Sequence, residues 1–388
     1  MDFNLKSYIR VTCGAGVMPY LSKEITDLGL PILDESLIHI GTHGTMMDCI
    51  KLCTLSRTAH KVLFEIKKIN AKHPDELYKH IKTIEWEDII PENGYFSVDS
   101  TVENQYIKDT RFANVRVKDA IVDRFQSQKG FRPDSGPDNS RTVIYVHWRN
   151  NEAIVYIDAS GETLAKHGYR KMPWKAPLQE SLAAGIVLAS GWDTKSNFIN
   201  PMCGSGTLAI EAALIMTQKF PGNFRSNYGF NHIVGFEEAY KPVNELNIEA
   251  PTGIKYPEII ASDISKDAIR TARKNAIDAG VDDLIEFYHC GFEETPIPES
   301  GGTIIMNPEY GERMGEQAEL EELYPEIGDF FKQKCAGYTG YIFTGNLDLA
   351  KTIGLKPSSK QTFFNAKIEC RLLGFEIYKG KKESKTNE

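Results

Sequence analysis

The residue types best suited to chemistry occur at three points in the second half of the chain. The first is a turn with Gly204 and Gly206, which follows a short apolar run and leads into an Ala-rich helical pattern. The second is Asp263, at the end of another apolar run, and the third is the tetrapeptide Asn307-Pro308-Glu309-Tyr310. Alternating strand and helix patterns predict a parallel sheet, and such sheets bind ligands beyond the carboxyl ends of their strands. We therefore expect the three points to converge on one ligand site.

The glycine turn has the features of a site for a nucleotide-like ligand. Glycines let the backbone turn sharply and approach a ligand with no Cβ in the way, and we expect this of both Gly204 and Gly206. The helix that follows offers free N–H groups and the positive end of its dipole to an anionic group. A glycine pair alone is weak evidence, because ordinary strand-turn-helix corners contain such pairs too.

Asp263 has two alternative roles. Its carboxylate can accept hydrogen bonds from both hydroxyls of a ribose, or it can cap the helix whose pattern begins at Lys266. Ser265 directly precedes that helix and is the better cap. We therefore expect Asp263 to be free for a ligand, and we favour ribose binding over capping.

The tetrapeptide at 307–310 suits a base that carries an exocyclic amine. The Asn307 side chain offers a carbonyl acceptor, and the fixed φ of Pro308 lets nearby backbone carbonyls point into the site. Two acceptors that face one amine suit a purine or a cytosine, and Tyr310 can stack on a base flipped out of its helix. The alternative is a turn that merely ends a strand. The glycine turn and the acid that precede it in the chain favour the site.

Length and composition exclude several classes of protein. A chain of 388 residues predicts two or three domains, and its 41% hydrophobic and 25% charged content is typical of a soluble globular protein. No apolar run reaches the roughly 20 residues of a membrane span, and the N-terminus lacks a signal-peptide pattern. Seven scattered cysteines without a C-x-x-C pair predict free thiols in a reducing compartment. We expect a cytoplasmic protein with no metal site and no membrane partner.

The distribution of charge is more informative than its sum. The formal net charge of −8 argues weakly against a nucleic-acid partner. Residues 108–132, however, contain seven Lys or Arg against three Asp, and residues 379–382 are also basic. Charge alone favours the simpler interpretation of a solvated surface. Four of these cations are the candidate contacts for nucleic-acid phosphates: Lys108, Arg111, Arg116 and Lys118.

The two halves of the chain differ in organisation. Residues 1–165 mix strands and helices without a nucleotide loop and include a hairpin over residues 142–158, which predicts an α+β unit. We interpret the polar stretch 160–177 as a linker. Residues 219–256 exceed the usual length of a loop between a helix and a strand, and such segments are more often functional or inserted than accidental.

The motifs at 200–207 and 307–313 together resemble the class I S-adenosylmethionine-dependent methyltransferases. The first motif reads Asn-Pro-Met-Cys-Gly-Ser-Gly-Thr and the second reads Asn-Pro-Glu-Tyr-Gly-Glu-Arg. The chain is most similar to the THUMP-containing branch, in particular the bacterial 23S rRNA guanine-N2 methyltransferases. The resemblance extends upstream to Gly168-Tyr169-Arg170 and covers nearly the whole chain. The family usually has Asp where this chain has Asn200, and Pro where it has Glu309.

This resemblance implies an α/β fold. The expected architecture is a Rossmann-like, mostly parallel sheet with an antiparallel last strand, preceded by an α+β ferredoxin-like and THUMP region that binds RNA. Four segments are implied along the chain: a ferredoxin-like region at 1–50, a THUMP domain at 51–160, a linker at 161–176 and a methyltransferase domain at 177–388.

The resemblance also implies transfer of the methyl group of S-adenosylmethionine to N2 of a guanine in RNA, with 23S ribosomal RNA as the first choice. A tRNA guanine-N2 enzyme, an adenine-N6 nucleic-acid methyltransferase and a non-catalytic RNA-binding assembly factor remain alternatives. The candidate catalytic residues are Asn307, Pro308 and Tyr310, and Arg170 joins the candidate RNA contacts. The candidate cofactor-binding residues are Asn200, Pro201, Cys203, Gly204, Gly206, Thr207, Asp263, Ile264 and Phe292.

Overall fold

The chain forms two units in a computed structural model, which describes residues 1–107, 109–172, 177–237, 256–310 and 317–378. The first unit comprises Met1–Cys13, Leu21–Ala165 and Pro221–Asn247, and the second comprises Gly14–Tyr20, Lys166–Phe220 and Ile248–Glu388. Lys108 and the basic end at 379–382 lie outside the described residues.

The first unit is built on one sheet of eight strands. The strands are β1 (Ser7–Cys13), β2 (Ile32–Glu35), β3 (His39–Gly44), β4 (Ala59–Asn70), β5 (Tyr95–Glu103), β6 (Asp134–Ser135), β7 (Thr142–Arg149) and β8 (Glu152–Asp158). Their order across the sheet is β2-β3-β1-β4-β8-β7-β5-β6. Neighbouring strands are antiparallel except that β5 runs parallel to both β6 and β7. The predicted α+β unit and its hairpin are therefore confirmed.

Local sequence signals set the ends of the helices that lie between these strands in the chain. The helices are α1 (Met18–Asp27), α2 (Met46–Leu55), α3 (Pro74–Ile81) and α4 (Thr110–Lys129). Thr45 and Asp48 form a capping box at the start of α2. Asp109 caps α4, and this helix ends at Gly130, which adopts the left-handed conformation that glycine favours. Asn150, with a φ of 54°, makes the tight turn of the β7–β8 hairpin.

The described part of the long segment at 219–256 packs onto the first unit. The Phe230 N–H donates to the Ala159 carbonyl over 3.0 Å, and the Val234 N–H donates to the Ile89 carbonyl over 3.0 Å. The Thr142 hydroxyl donates to the carbonyl of His232 over 2.7 Å. Residues 221–237 are therefore part of the first unit, although the chain on both sides of the long segment belongs to the second. Residues 238–255 lie outside the described ranges.

The second unit is built on one sheet of seven strands. The strands are β9 (Asn197–Pro201), β10 (Ile259–Asp263), β11 (Ile285–His289), β12 (Gly302–Met306), β13 (Tyr338–Thr344), β14 (Ser359–Asn365) and β15 (Ile368–Glu376). Their order is β11-β10-β9-β12-β13-β15-β14. The first five strands pair in parallel, and β15 is antiparallel to both β13 and β14. The expected mostly parallel sheet with an antiparallel last strand is confirmed.

Helices connect the parallel strands and complete the core of the second unit. They are α5 (Glu180–Ala189), α6 (Thr207–Met216), α7 (Lys266–Ala279) and α8 (Gln317–Lys334). Strands β9, β10 and β12 are buried at almost every position, as is typical of parallel sheets covered on both faces. The α8 residues Tyr324 and Phe331 pack into one apolar cluster with Ile304 and Ile342. This core fixes the strand ends that carry the predicted site.

The described residues contain neither a helix suited to span a membrane nor a cluster of side chains suited to hold a metal ion. In them, no helix combines the length and the hydropathy that a membrane span requires. The same ranges contain no group of three or more His, Cys, Asp or Glu residues arranged to hold a metal ion. All seven cysteines are free thiols, and six of them are buried.

Candidate active site

The three predicted points lie at neighbouring strand ends. Strand β9 lies between β10 and β12, and all three run in parallel. Ile199 of β9 is in register with Ile260 on one side and with Ile304 on the other. The glycine turn, Asp263 and Asn307 therefore lie at the ends of strands that share one edge of the sheet, as predicted, and their use as one ligand site stays a prediction.

The two glycines of the turn serve different purposes. Both have positive φ values, 55° for Gly204 and 79° for Gly206. A Cβ on Gly204 would meet no atom of the described residues within 4 Å, whereas a Cβ on Gly206 would lie 2.9 Å from the Ala272 Cβ of α7. Gly204 thus borders open space, as expected for approach to a ligand. Gly206 makes the expected turn and also allows the start of α6 to pack against α7, while its approach to a ligand stays a prediction.

Asp263 anchors the glycine turn. Its Oδ2 accepts a hydrogen bond from the Gly204 N–H over 2.9 Å, and its Oδ1 accepts one from the Ser265 N–H over 2.8 Å. Ser265 caps α7, as predicted, by accepting from the Ala268 N–H. Asp263 is therefore not free, contrary to expectation. Each carboxylate oxygen still has a second lone pair that can accept from a ribose hydroxyl.

Asn200 links β9 to the strand that precedes the tetrapeptide. The residue is 1% exposed, and its Nδ2 donates to the Ile305 carbonyl of β12 over 2.9 Å. An aspartate carboxylate, which is the usual group in the resembling family, has no N–H for this bond. The Asn200 Oδ1 is buried and has no hydrogen-bond partner in the part of the chain that the structure describes. Such an atom is a candidate acceptor for a ligand, since buried polar groups are nearly always paired.

The first and last side chains of the tetrapeptide, Asn307 and Tyr310, are joined by a hydrogen bond. The Tyr310 hydroxyl donates to Oδ1 of Asn307 over 2.8 Å, and the Tyr310 ring packs edge-on against Phe343 at 6.4 Å between centroids. The Asn346 side chain donates to the Tyr310 carbonyl over 3.2 Å. Burial raises the pKa of Tyr310 well above its ordinary value, so the hydroxyl remains a donor. The acceptor that was predicted to hold a target amine is thus occupied by a hydroxyl of the same motif.

The remaining cofactor candidates surround the glycine turn and Asp263. Ile264, directly after Asp263, is 78% exposed. Phe292 is half-buried and packs edge-on against Phe330 at 5.6 Å. Burial raises the pKa of the Cys203 thiol well above its ordinary value, so this thiol is not a nucleophile. The Thr207 hydroxyl lies 3.1 Å from that of Ser205. The Thr207 side chain is thus engaged within the protein, and Pro201 ends β9 beside β10.

Arg170 lies in the second unit, in a buried network that the sequence did not reveal. Its guanidinium donates to Glu180 over 2.9 Å and to the Leu178 carbonyl over 2.6 Å, and its side chain is 11% exposed. It also donates to the Thr207 hydroxyl over 3.3 Å. An arginine so paired has no free face for a phosphate, so its expected role as an RNA contact is withdrawn. The arginine instead ties the start of α5 to the start of α6.

A second part of this network lies on α6. Glu211 is fully buried and accepts hydrogen bonds from the Tyr169 hydroxyl over 2.7 Å and from the His167 ring over 2.8 Å. The sequence carried one signal for it, which is an acidic residue inside an otherwise apolar, Ala-rich helical pattern. A buried carboxylate requires such partners.

The candidate RNA contacts of the first unit lie on α4. Arg111 pairs with Asp109 at the start of the helix, and Arg116 pairs with Asp75 of α3. Lys118 is half-buried on the same helix. The Arg111 pair is exposed, and such pairs contribute little to stability, whereas the Arg116 side chain is only 28% exposed and its guanidinium lies 4.7 Å from the centroid of the Tyr78 ring. The local excess of positive charge is therefore smaller than the sequence indicated, although these pairs can exchange for phosphates.

The strand order and the glycine turn at the carboxyl edge are those of a methyltransferase with a Rossmann-like fold. An α+β unit comes before this fold in the chain. The chain belongs to the family described as the RMKL-like methyltransferase domain, whose model matches residues 167–373. Two further models match the first half of the chain: a THUMP domain at residues 71–158 and an RlmL ferredoxin-like domain at residues 9–63.

Curated relatives of the chain support its assignment to this methyltransferase family. The ribosomal RNA large subunit methyltransferase K/L of Syntrophotalea carbinolica is 36% identical over 97% of this chain and 54% of that protein. The chain thus spans about half the length of the curated relatives that it matches.

Two solved structures superpose over almost the whole chain. SMU.472 complexed with SAH gives a TM-score of 0.86 at 26% identity, over 98% of this chain and 100% of that one. A structure described as a predicted N6-adenine-specific DNA methylase from Listeria monocytogenes gives 0.83 at 26% identity, over 96% of each chain.

Proposed function

We propose that this protein transfers a methyl group from S-adenosylmethionine to the exocyclic N2 of a guanine in large-subunit ribosomal RNA. The observation that carries the proposal is the convergence of Gly204, Asp263 and Asn307 at one edge of a methyltransferase sheet. The names of the relatives support ribosomal RNA as the substrate. The SAH bound to one similar structure supports the cofactor.

The residues at this edge fit S-adenosylmethionine. Open space beside Gly204 allows close approach of a ligand, and the unpaired Oδ1 of Asn200 suits the ammonium group of a methionine moiety. Asp263 can accept from ribose hydroxyls, and the exposed Ile264 offers an apolar surface to the adenine ring. When bound, S-adenosylmethionine supplies a methyl group activated by its positively charged sulfur. Binding, orientation and exclusion of water are the contributions of the chain.

Asn307 and Pro308 would prepare the target amine. The lone pair of guanine N2 is delocalised into the ring, so the amine is a poor nucleophile. Acceptance of its two hydrogens by Oδ1 of Asn307 and by the Pro308 carbonyl favours the pyramidal, more nucleophilic form. Oδ1 of Asn307 accepts one bond from the Tyr310 hydroxyl and has a second lone pair for the amine of a base, on which the tyrosine ring would stack. Positioning then supplies most of the rate enhancement.

The first unit is proposed to hold the RNA. We propose the division into a ferredoxin-like region at 1–50, a THUMP domain at 51–160, a linker at 161–176 and a methyltransferase domain at 177–388. The family models that match in the first half of the chain support a ferredoxin-like region followed by a THUMP domain, and their matches at 9–63 and 71–158 favour a border between residues 63 and 71. In this proposal Arg111, Arg116 and Lys118 contact phosphates, while Lys108 lies outside the described residues.

Adenine N6 is the second candidate target. The same pair of acceptors at 307 and 308 suits any exocyclic amine, and one of the similar structures is described as an N6-adenine-specific methylase. The two targets are separated by incubating the purified protein with methyl-labelled S-adenosylmethionine and, in turn, ribosomal RNA, tRNA and DNA. Label in ribosomal RNA alone is expected, whereas label in DNA alone would favour the second candidate.

Reversal of charge on α4 is expected to weaken RNA binding. Combined substitution of Arg111, Arg116 and Lys118 by Glu removes cations that neutralise phosphates. Binding isotherms at several salt concentrations should show lower affinity, and the slope of log K against log salt should fall by roughly one per lost contact. The matched control is Lys23→Glu on α1, whose side chain is 74% exposed. If the triple variant and the wild type bind RNA with the same affinity and the same salt slope, these residues of α4 do not contact RNA.

A further inference from the structure

An open groove lies at one end of the sheet of the first unit. It has a volume of about 620 Å³ and lies between the end of β4 and the β7–β8 hairpin. The residues that line it include three asparagines and two cations: Asn70, Asn150, Asn151, Lys68 and Arg149. Ile69 and Glu152 also line it, so the groove combines apolar and polar surface and is not strongly positive.

An exposed aromatic pair adjoins the groove. The Asn104 side chain donates to the Asn150 carbonyl over 2.7 Å and to the Lys72 carbonyl over 3.3 Å, which holds the loop after β5 against the hairpin. Tyr106 on that loop is 50% exposed, and its ring lies 4.2 Å from the ring of His73. A half-exposed tyrosine beside a polar groove leaves much of its ring accessible to a flat ligand.

The cations of the groove are only weakly paired within the protein. Lys68 lies 3.8 Å from Glu65, and Arg149 lies 3.2 Å from Glu103. The Arg149 pair is exposed on both sides, at 69% and 62%, and such pairs contribute little to stability. The Lys68 side chain is 59% exposed, but its partner Glu65 is only 15% exposed. Arg149 can therefore turn to a phosphate at little cost, whereas Lys68 can contact a phosphate with the exposed part of its side chain while it stays near Glu65.

This combination matches the recognition of unpaired RNA. Splayed bases stack on aromatic side chains and offer their edges to amides, while a few cations hold the backbone. A duplex keeps its bases stacked and paired and is recognised mostly by its shape, so it offers no splayed base to an aromatic side chain such as Tyr106.

We propose that the groove binds an unpaired segment of RNA, with one base stacked on Tyr106 and its neighbours contacted by Asn70, Asn150 and Asn151. This inference rests on the proposed function only in that it takes RNA as the partner. It adds to that function a site in the first unit for the single-stranded part of the substrate.

Fluorescence anisotropy on the full chain tests the proposal. The probes are a fluorescein-labelled oligouridylate of about eight nucleotides, within the range of known single-strand sites, and a blunt RNA duplex of equal length. The wild type is expected to bind the single strand more tightly than the duplex. Tyr106→Ala should lower the affinity for the single strand about tenfold, and Tyr106→Phe should retain it, because stacking needs only the ring. Leu37→Ala, at a residue 79% exposed in the same unit, is the control without an effect.

The outcomes separate this inference from the proposed function. Equal affinity of Tyr106→Ala and wild type for the oligouridylate, or tighter binding of the duplex, overturns the groove even if the protein methylates ribosomal RNA. Binding of the single strand that depends on Tyr106, in a protein that methylates no RNA, supports the groove and contradicts the function. Binding and methyl transfer are therefore measured on the same preparations.

Discussion

Replacement of Asn307 by alanine is expected to slow methyl transfer by roughly 10²–10³, as for the loss of one preorganised polar group at a reacting centre. The substitution removes the Oδ1 acceptor that would hold the target amine. Affinity for S-adenosylmethionine should change little, because Gly204 and Asp263 lie on other strand ends. Single-turnover methylation of ribosomal RNA measures the rate, and calorimetry measures cofactor affinity separately.

Tyr310 provides the matched control for this experiment. Tyr310→Phe removes the hydroxyl that occupies Asn307 but keeps the ring, so the rate of transfer should be retained. Tyr310→Ala removes the ring as well and should weaken capture of the target base by about 1–3 kcal/mol. Near-normal turnover in Asn307→Ala would contradict the proposed mechanism. The tetrapeptide would then be only a turn that ends a strand.

Substitution of Gly204 by valine is expected to abolish binding of S-adenosylmethionine. The glycine has a φ of 55° and borders open space at the turn, so a branched side chain there would fill the space that a ligand needs. Titration calorimetry with S-adenosylmethionine measures the effect directly.

Backbone strain must be separated from obstruction of the ligand in this experiment. Gly191 offers the comparison, because it also has a positive φ, 68°, and a Cβ there would likewise meet no described atom within 4 Å. Gly191→Val should therefore show the strain of a valine at positive φ without loss of cofactor binding. Gly206 is unsuitable as a test, since its Cβ would collide with Ala272 and displace α7. Unchanged affinity in a folded Gly204→Val variant would remove the turn from the cofactor site.

The convergence of the site could be predicted from sequence for a simple physical reason. Parallel strands connected by helices present their carboxyl ends at one edge, so residues that follow buried strands must meet there. The assignment of Ser265 as the cap of α7 followed from its place directly before the helical pattern. Both inferences needed only local patterns and a rule of topology.

The remaining features depend on contacts between residues distant in the chain. Gly206 and Ala272 meet because α6 packs against α7, and no local signal distinguishes this glycine from Gly204. The resemblance predicts an RNA contact at Arg170, but a sequence motif does not reveal a buried partner such as Glu180. Residues 221–237 join the first unit through hydrogen bonds with Ile89, Thr142 and Ala159, which lie far earlier in the sequence, and periodicity cannot encode such contacts.

Identification of the methylated nucleoside tests the central claim most directly. Ribosomal RNA from a strain that lacks this gene would be incubated with the protein and methyl-labelled S-adenosylmethionine, digested to nucleosides and analysed by mass spectrometry. The label is expected in N2-methylguanosine, with the Asn307→Ala protein giving little in the same time. Label in N6-methyladenosine, or no label from a protein that binds S-adenosylmethionine normally, would contradict the proposed function.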